Sequence, residues 1–175
     1  MLVFAYGSLL WNPGFPVKRA TPAFAAGWKR SWCVESRHHR GTPDRPGMVL
    51  GLVPGDGCVG MALEPDQDGA ATLAYLDARE LAEPGYSRTM IPVTLECGRT
   101  ERAWTYVADR SGNPCSRLFR ARLDARGVSG SASEYVSKAM SAISGIKVPE
   151  GWPPPCPALP CDGSTLRMAS GAHAR

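Results

Sequence analysis

Two short segments of this chain carry residue types suited to chemistry on a carbonyl. The first is Leu73 to Glu80, where Glu80 follows Leu76 by four positions and Leu73 by seven. On a helix these three residues share one face. A carboxylate on an apolar face is costly to bury unless it is paired or used, and burial raises its pKa toward neutrality. That is the property a general acid/base requires. Asp77 shares part of the face and competes for the role, and a solvated Glu80 paired with Arg79 or Arg88 is the plain alternative. The second segment is Tyr6-Gly7-Ser8-Leu9-Leu10-Trp11, which follows the apolar run Leu2-Val3-Phe4-Ala5. A strand ending in Gly-Ser makes a turn poor in side chains, whose consecutive N–H groups can face a carboxylate or a developing oxyanion. Gly7 either admits a ligand close to the backbone or simply serves the bend.

A third cluster, His38-His39-Arg40, has several readings. Adjacent histidines suggest a metal, yet no Cys or carboxylate stands at ligand spacing from them. Cys33 with a histidine would suggest a thiol nucleophile, which spacing alone does not support. Arg40 offers a planar fork that suits a substrate carboxylate, or equally a structural bond to loop carbonyls. Tyr86, at the start of a strand, either lines a pocket or joins the core.

The elements that must position these groups are short and numerous. Strands are expected over 2–5, 28–36, 48–54, 59–64, 87–95 and 102–108, with Pro54-Gly55-Asp56-Gly57 as a turn. A helix is expected over about 70–81, with Asp68 as its cap and Pro84-Gly85 beyond its end. A second is expected from about Ser133 to Gly145, with Val136, Ala139, Met140 and Ile143 on one face. Many strands and two helices imply an α+β fold with a mixed, barrel-like sheet. A division into a domain over 1–148 and a tail over 149–175 follows from the composition. The tail opens with Trp152-Pro153-Pro154-Pro155 and continues rich in Ser, Gly and Ala. Docking of Trp152 on the barrel is favoured over a free tail.

Composition narrows the classes. A chain of 175 residues can bury one core without metal or disulfide support. The net charge of +4 is too mild for a nucleic-acid partner but suits an anionic small molecule. No apolar run approaches the ~20 residues of a membrane helix. Six scattered cysteines, without a CxxC pair and with no secretory leader ahead of them, read as reduced thiols of a cytoplasmic protein. Pairing of Cys156 with Cys161 is the one disulfide considered.

Four motifs occur in register. They are Val3 to Phe15; His39-Arg40-Gly41-Thr42-Pro43 with Arg45-Pro46-Gly47; Tyr75-Leu76-Asp77-Ala78-Arg79-Glu80 with Gly85-Tyr86; and Ser129-Gly130 with Glu134-Tyr135. In that order they resemble the ChaC-type γ-glutamylcyclotransferases. The resemblance implies a small barrel with helices packed outside it and the active cavity at its mouth. It implies that Glu80, which follows Asp-x-Arg, is the catalytic acid/base. Val3, Phe4, Ala5, Tyr6, Gly7, Ser8 and Leu9, with Arg40 and Tyr86, are the candidate substrate-binding residues. The expected reaction converts glutathione to 5-oxoproline and Cys-Gly, with no metal and no other cofactor. Alternatives are another γ-glutamyl amine as substrate, or a non-catalytic γ-glutamyl-binding module. Two departures stand out: Ser111 to Cys115 replaces a His-Pro-x-Tyr-like segment, and Ser131-Ala132 replaces Pro-Asn.

Overall fold

The computed structural model describes residues 1–109 and 123–153. Strands β1 (Leu2–Ala5), β2 (Val17–Ser36), β3 (Gly47–Pro65), β4 (Tyr86–Leu95) and β5 (Thr100–Ala108) close into a barrel in the order β1-β3-β2-β4-β5. All neighbours are antiparallel except β1 and β5, which pair in parallel through Leu2–Ala103 and Val3–Trp104. Helix α1 (Gly69–Glu80) links β3 to β4. A two-stranded ribbon, β6 (Arg126–Gly127) with β7 (Gly130–Ser131), leads into α2 (Ala132–Ser144). Phe4, Leu52, Ile91 and Val93 are fully buried and form the centre of the barrel core. This is the α+β barrel with few helices that the strand pattern implied.

Strand lengths differ from the sequence reading. The segments 48–54 and 59–64 belong to one strand, β3, and 28–36 is the second half of a β2 that begins at Val17. Pro54 to Gly57 is therefore not a turn. Its glycines make room for the facing strand instead. A Cβ on Gly57 would lie 2.3 Å from the Phe24 ring, and one on Gly55 would lie 2.4 Å from the Lys29 side chain. The bend of β2 is at Gly27, whose φ of +79° suits glycine, and the ladder register shifts there between Ala26 and Trp28. A bulge of this kind increases the local twist, which lets two long strands wrap a narrow barrel.

Both helices are capped by side chains. The Asp68 carboxylate accepts the Ala71 N–H at 2.8 Å, as its position before the Ala-rich run suggested. Helix α2 opens on a reciprocal capping box: Ser131 accepts from the Glu134 N–H, and Glu134 accepts from the Ser131 N–H. Its buried face is Ala132, Tyr135 and Ala139, whereas Met140 is exposed. The buried face is rotated from the one expected, because Tyr135 turns inward in place of Val136 and Met140. Beyond α2, the Trp152 ring stands 6.4 Å from that of Phe24, edge to face.

Candidate functional site

The site lies where β1 leaves the barrel. After Ala5 the chain turns through Tyr6 and Gly7 into a single 3-10 turn, Ser8–Leu10, closed by the Leu10 N–H donating to the Gly7 carbonyl at 2.9 Å. The ladder to β3 ends at Ala5–Met61. Beyond it Arg30 of β2 takes over: its Nε donates to the Tyr6 carbonyl at 2.6 Å, and its terminal nitrogen donates to the Val59 carbonyl. The guanidinium fixes the Tyr6–Gly7 peptide from behind. Because that peptide is planar and trans, its N–H points the opposite way.

Glu80, the last residue of α1, closes the other side. Thr72 and Leu76 are fully buried beneath it, at one helical turn's spacing, and the Glu80 side chain is 16% exposed. Burial pushes its carboxyl above the ordinary carboxylate range, while neighbouring Arg79 pulls it back down. Arg79 Nε stands 3.1 Å from Glu80 Oε1, but without the alignment of a hydrogen bond, so this buried oxygen has no aimed donor among the described residues. The rest of the Arg79 guanidinium is spent on the loop opposite. It donates to the Asn12 carbonyl at 2.8 Å and to the Ser8 hydroxyl at 3.0 Å, tying the end of α1 to the turn after β1. Asp77 is occupied elsewhere. It accepts from the Tyr106 hydroxyl at 2.8 Å and pairs with Arg88, and it lines neither cavity described below.

Tyrosines surround the carboxylate. The Tyr6 hydroxyl donates to the Tyr106 carbonyl at 2.7 Å, and that of Tyr86 donates to the Leu50 carbonyl at 2.5 Å. Burial, with the Glu80 charge adding to it, holds both phenols well above their usual range. They stay neutral donors at any physiological pH.

These groups enclose a recess of about 20 Å³ lined by Tyr6, Gly7, Ser8, Leu9 and Glu80, with Tyr86 and Tyr135 among its walls. It adjoins a groove of about 550 Å³, and the two share Ser8, Glu80, Tyr86 and Tyr135. That volume falls in the range of small-molecule sites, about 300–1,000 Å³. His38, His39, Arg40 and Arg79 lie along the groove together with Glu35 and Glu83. The Arg40 guanidinium stands 5.4 Å from the centre of the Tyr135 ring and donates to the Ser131 carbonyl at 3.4 Å. His39 Nδ1 lies 3.0 Å from the Ser129 hydroxyl, and burial lowers its pKa.

The sequence candidates thus separate by position. Tyr6 to Leu9, Tyr86 and Glu80 meet around the recess, and Arg40 stands on the groove. Val3, Phe4 and Ala5 are wholly buried in the barrel and line neither space, so they support the turn from below. Cys33 packs with Val34 and Val53, also away from both. Among the described residues no group of three His, Cys, Asp or Glu side chains converges to hold a metal. Cys33, Cys58 and Cys97 form no disulfide among the described residues, whereas Ser111 to Cys115, Cys156 and Cys161 lie outside them. No helix among the described residues is long and apolar enough to cross a membrane. The roles of Arg30, Arg79 and Tyr135 were missed by reading the sequence. Only Tyr135 had an available signal: the Ser131-x-x-Glu134 box fixes the start of α2 and so turns Tyr135 inward.

Comparison with known proteins gives the same picture. The ChaC-like protein family matches residues 1–149. The glutathione-specific γ-glutamylcyclotransferase of Escherichia coli (strain K12) is 32% identical over 108 residues, which cover 61% of this chain and 47% of that protein. The enzyme of the same name from Schizosaccharomyces pombe (strain 972 / ATCC 24843) is 35% identical over 112 residues, 55% of this chain and 54% of its own. The chain spans about half the length of these curated relatives it matches. In three dimensions it overlays the crystal structure of a selenomethionine-labelled γ-glutamyl cyclotransferase specific to glutathione from yeast. The TM-score is 0.75 at 21% identity, over 86% of this chain and 89% of that one, which is a likeness of fold. With four motifs in register, a barrel of matching topology and a family match over 149 of 175 residues, this chain belongs to the ChaC-like protein family.

Proposed function

We propose that the chain is a γ-glutamylcyclotransferase that opens glutathione to 5-oxoproline and Cys-Gly, with Glu80 as its acid and base. The observation that carries this reading is Glu80 itself: a buried carboxylate with a raised pKa and one oxygen lacking an aimed donor, facing the turn of Gly7 and Ser8 across a recess. A γ-glutamyl substrate supplies its own nucleophile. Glu80 takes a proton from the α-ammonium, and the freed amine attacks the γ-carbonyl carbon. The new C–N bond closes the five-membered ring. The old C–N bond then breaks as Glu80 returns the proton to the departing amine, and the second proton of the ring nitrogen passes by way of Glu80 to that amine, which leaves as the ammonium of Cys-Gly. Confinement of amine and carbonyl in one recess supplies proximity. The N–H groups after Tyr6 face the glutamyl carboxylate or the carbonyl oxygen as it gains charge. No metal and no covalent enzyme intermediate is required by this sequence of steps.

Glutathione as the substrate is supported by the names of the relatives and by the presence of Arg40 on the groove. The Arg40 guanidinium is already engaged by Tyr135 and Ser131. That engagement favours, as a second reading, a γ-glutamyl amine without the terminal carboxylate. Turnover of glutathione and of a γ-glutamyl alkylamide by wild type, Arg40→Lys and Arg40→Ala separates the two. A carboxylate-binding Arg40 gives losses on glutathione alone, Ala greater than Lys. Equal losses on both substrates with a lowered Tm make Arg40 a structural residue.

A further inference from the structure

Tyr135 has no place in the steps above, yet it stands between the two spaces that form the site. It is 5% exposed and lines both the recess and the groove. Its ring is held from several sides: Trp11 at 5.4 Å and Trp32 at 6.1 Å, both edge to face, and the Arg40 guanidinium at 5.4 Å. A ring fixed by two indoles and a cation has one orientation, so its hydroxyl is preorganised. That hydroxyl faces the oxyanion-type turn directly, because a Cβ built on Gly7 would lie 3.4 Å from it.

The neighbouring phenols are committed. Tyr6 donates to the Tyr106 carbonyl and Tyr86 to the Leu50 carbonyl. Tyr135 differs: among the described residues its hydroxyl reaches no acceptor, and it lines both the recess and the groove. A hydroxyl that lines a cavity and has no acceptor among the described residues is placed to donate to a ligand there.

We propose that Tyr135 is a catalytic residue, donating its hydroxyl hydrogen bond to the γ-carbonyl oxygen as that oxygen becomes an oxyanion, opposite the backbone donors of the Gly7 turn. No proton is transferred at this contact. The C–O bond lengthens as the amine adds, the bond from Tyr135 shortens, and both relax when the leaving amine departs. The inference rests on the cyclotransferase reading and assigns a residue that reading leaves unused. Burial also keeps the phenol protonated, so the donor is present across the working pH range.

Tyr135→Phe tests it, because the ring and its packing survive while the donor is lost. Expected is a fall in kcat of about 10- to 1,000-fold on glutathione, with KM within about twofold and an unchanged far-UV spectrum. Tyr135→Leu, which removes the ring as well, adds a loss of Tm that the Phe variant does not show. A Phe variant with wild-type kcat, or one whose loss is confined to KM, overturns the assignment while the cyclotransferase reading stands. A wild-type chain that releases no 5-oxoproline from glutathione or any γ-glutamyl amide overturns both together.

Discussion

At the scale of single residues, Glu80 and Asp77 differ in what surrounds them rather than in kind. Asp77 accepts from Tyr106 and pairs with Arg88, while Glu80 is buried against a recess with one oxygen unserved. Glu80→Gln should therefore lower turnover by about 10²-fold or more with the fold intact, and Asp77→Asn should cost far less activity. The reverse ranking, measured on purified variants, would transfer the role to Asp77. The raised pKa also sets a pH limb: kcat/KM should fall with decreasing pH around a value above the ordinary glutamate pKa of about 4.3. Since Arg79 holds that pKa down, Arg79→Met should move the limb to higher pH. Stability runs the other way. A carboxyl whose pKa is higher folded than unfolded favours the folded state only where it is protonated, so its contribution is lost as pH rises through the folded value. Glu80→Gln should thus raise Tm at neutral pH, and the gain should shrink as the pH is lowered toward 4. A constant or absent gain would mean that Glu80 is not desolvated. The spacing of Glu80 from Leu73 and Leu76 made its inward face legible in the sequence, but not its choice over Asp77. That choice depends on Tyr106 and Arg88, whose placement beside Asp77 is set by the β4–β5 pairing.

At the scale of elements, the turn after β1 and the end of α1 are held as a pair. Arg30 anchors the turn from β2, and Arg79 binds the Ser8 hydroxyl and the Asn12 carbonyl from α1. Gly7 faces Tyr135 and Leu50 at 3.4 and 3.8 Å from its would-be Cβ, which is ordinary contact distance. A single methyl therefore fits, whereas the branches of valine would project into the recess. Gly7→Val should raise KM at least about tenfold, or abolish turnover, with little change in Tm, by excluding a substrate atom from the backbone. A folded, fully active Gly7→Val protein would contradict a ligand site at this turn. The apolar run and the Gly-Ser pair announced strand and turn in advance. Arg30 and Arg79 were not legible, because their partners lie 24 to 71 positions away and most are backbone carbonyls, which carry no sequence identity.

At the scale of the whole molecule, the barrel gathers the site from both ends of the described chain. The β6–β7 ribbon binds the loop that carries Arg40: Val128 and Ser129 N–H groups donate to the His38 and His39 carbonyls at 3.0 and 2.9 Å. A Cβ on Gly127 would lie 2.2 Å from the His38 carbonyl oxygen, a backbone atom that cannot swing aside. Gly127→Ala should cost about 1–3 kcal/mol of stability and weaken catalysis more than its distance from Glu80 suggests. Denaturant melts with parallel assays check this, and an unchanged midpoint would contradict the clamp. The α+β barrel was legible from many strands and few helices. The union of 48–54 and 59–64 into one strand was not, because Pro54-Gly55-Asp56-Gly57 has turn composition and only the Phe24 and Lys29 side chains across the sheet explain its glycines.

An intramolecular cyclisation driven by Glu80 leaves a product that hydrolysis does not. Purified wild type and Glu80→Gln are incubated with glutathione in the presence of EDTA, and the products are resolved by mass spectrometry. Wild type should release equimolar 5-oxoproline and Cys-Gly, undiminished by the chelator, and Glu80→Gln should release them at least about 10²-fold more slowly. Free glutamate in place of 5-oxoproline, or a Glu80→Gln protein as fast as wild type, would contradict a cyclisation driven by Glu80.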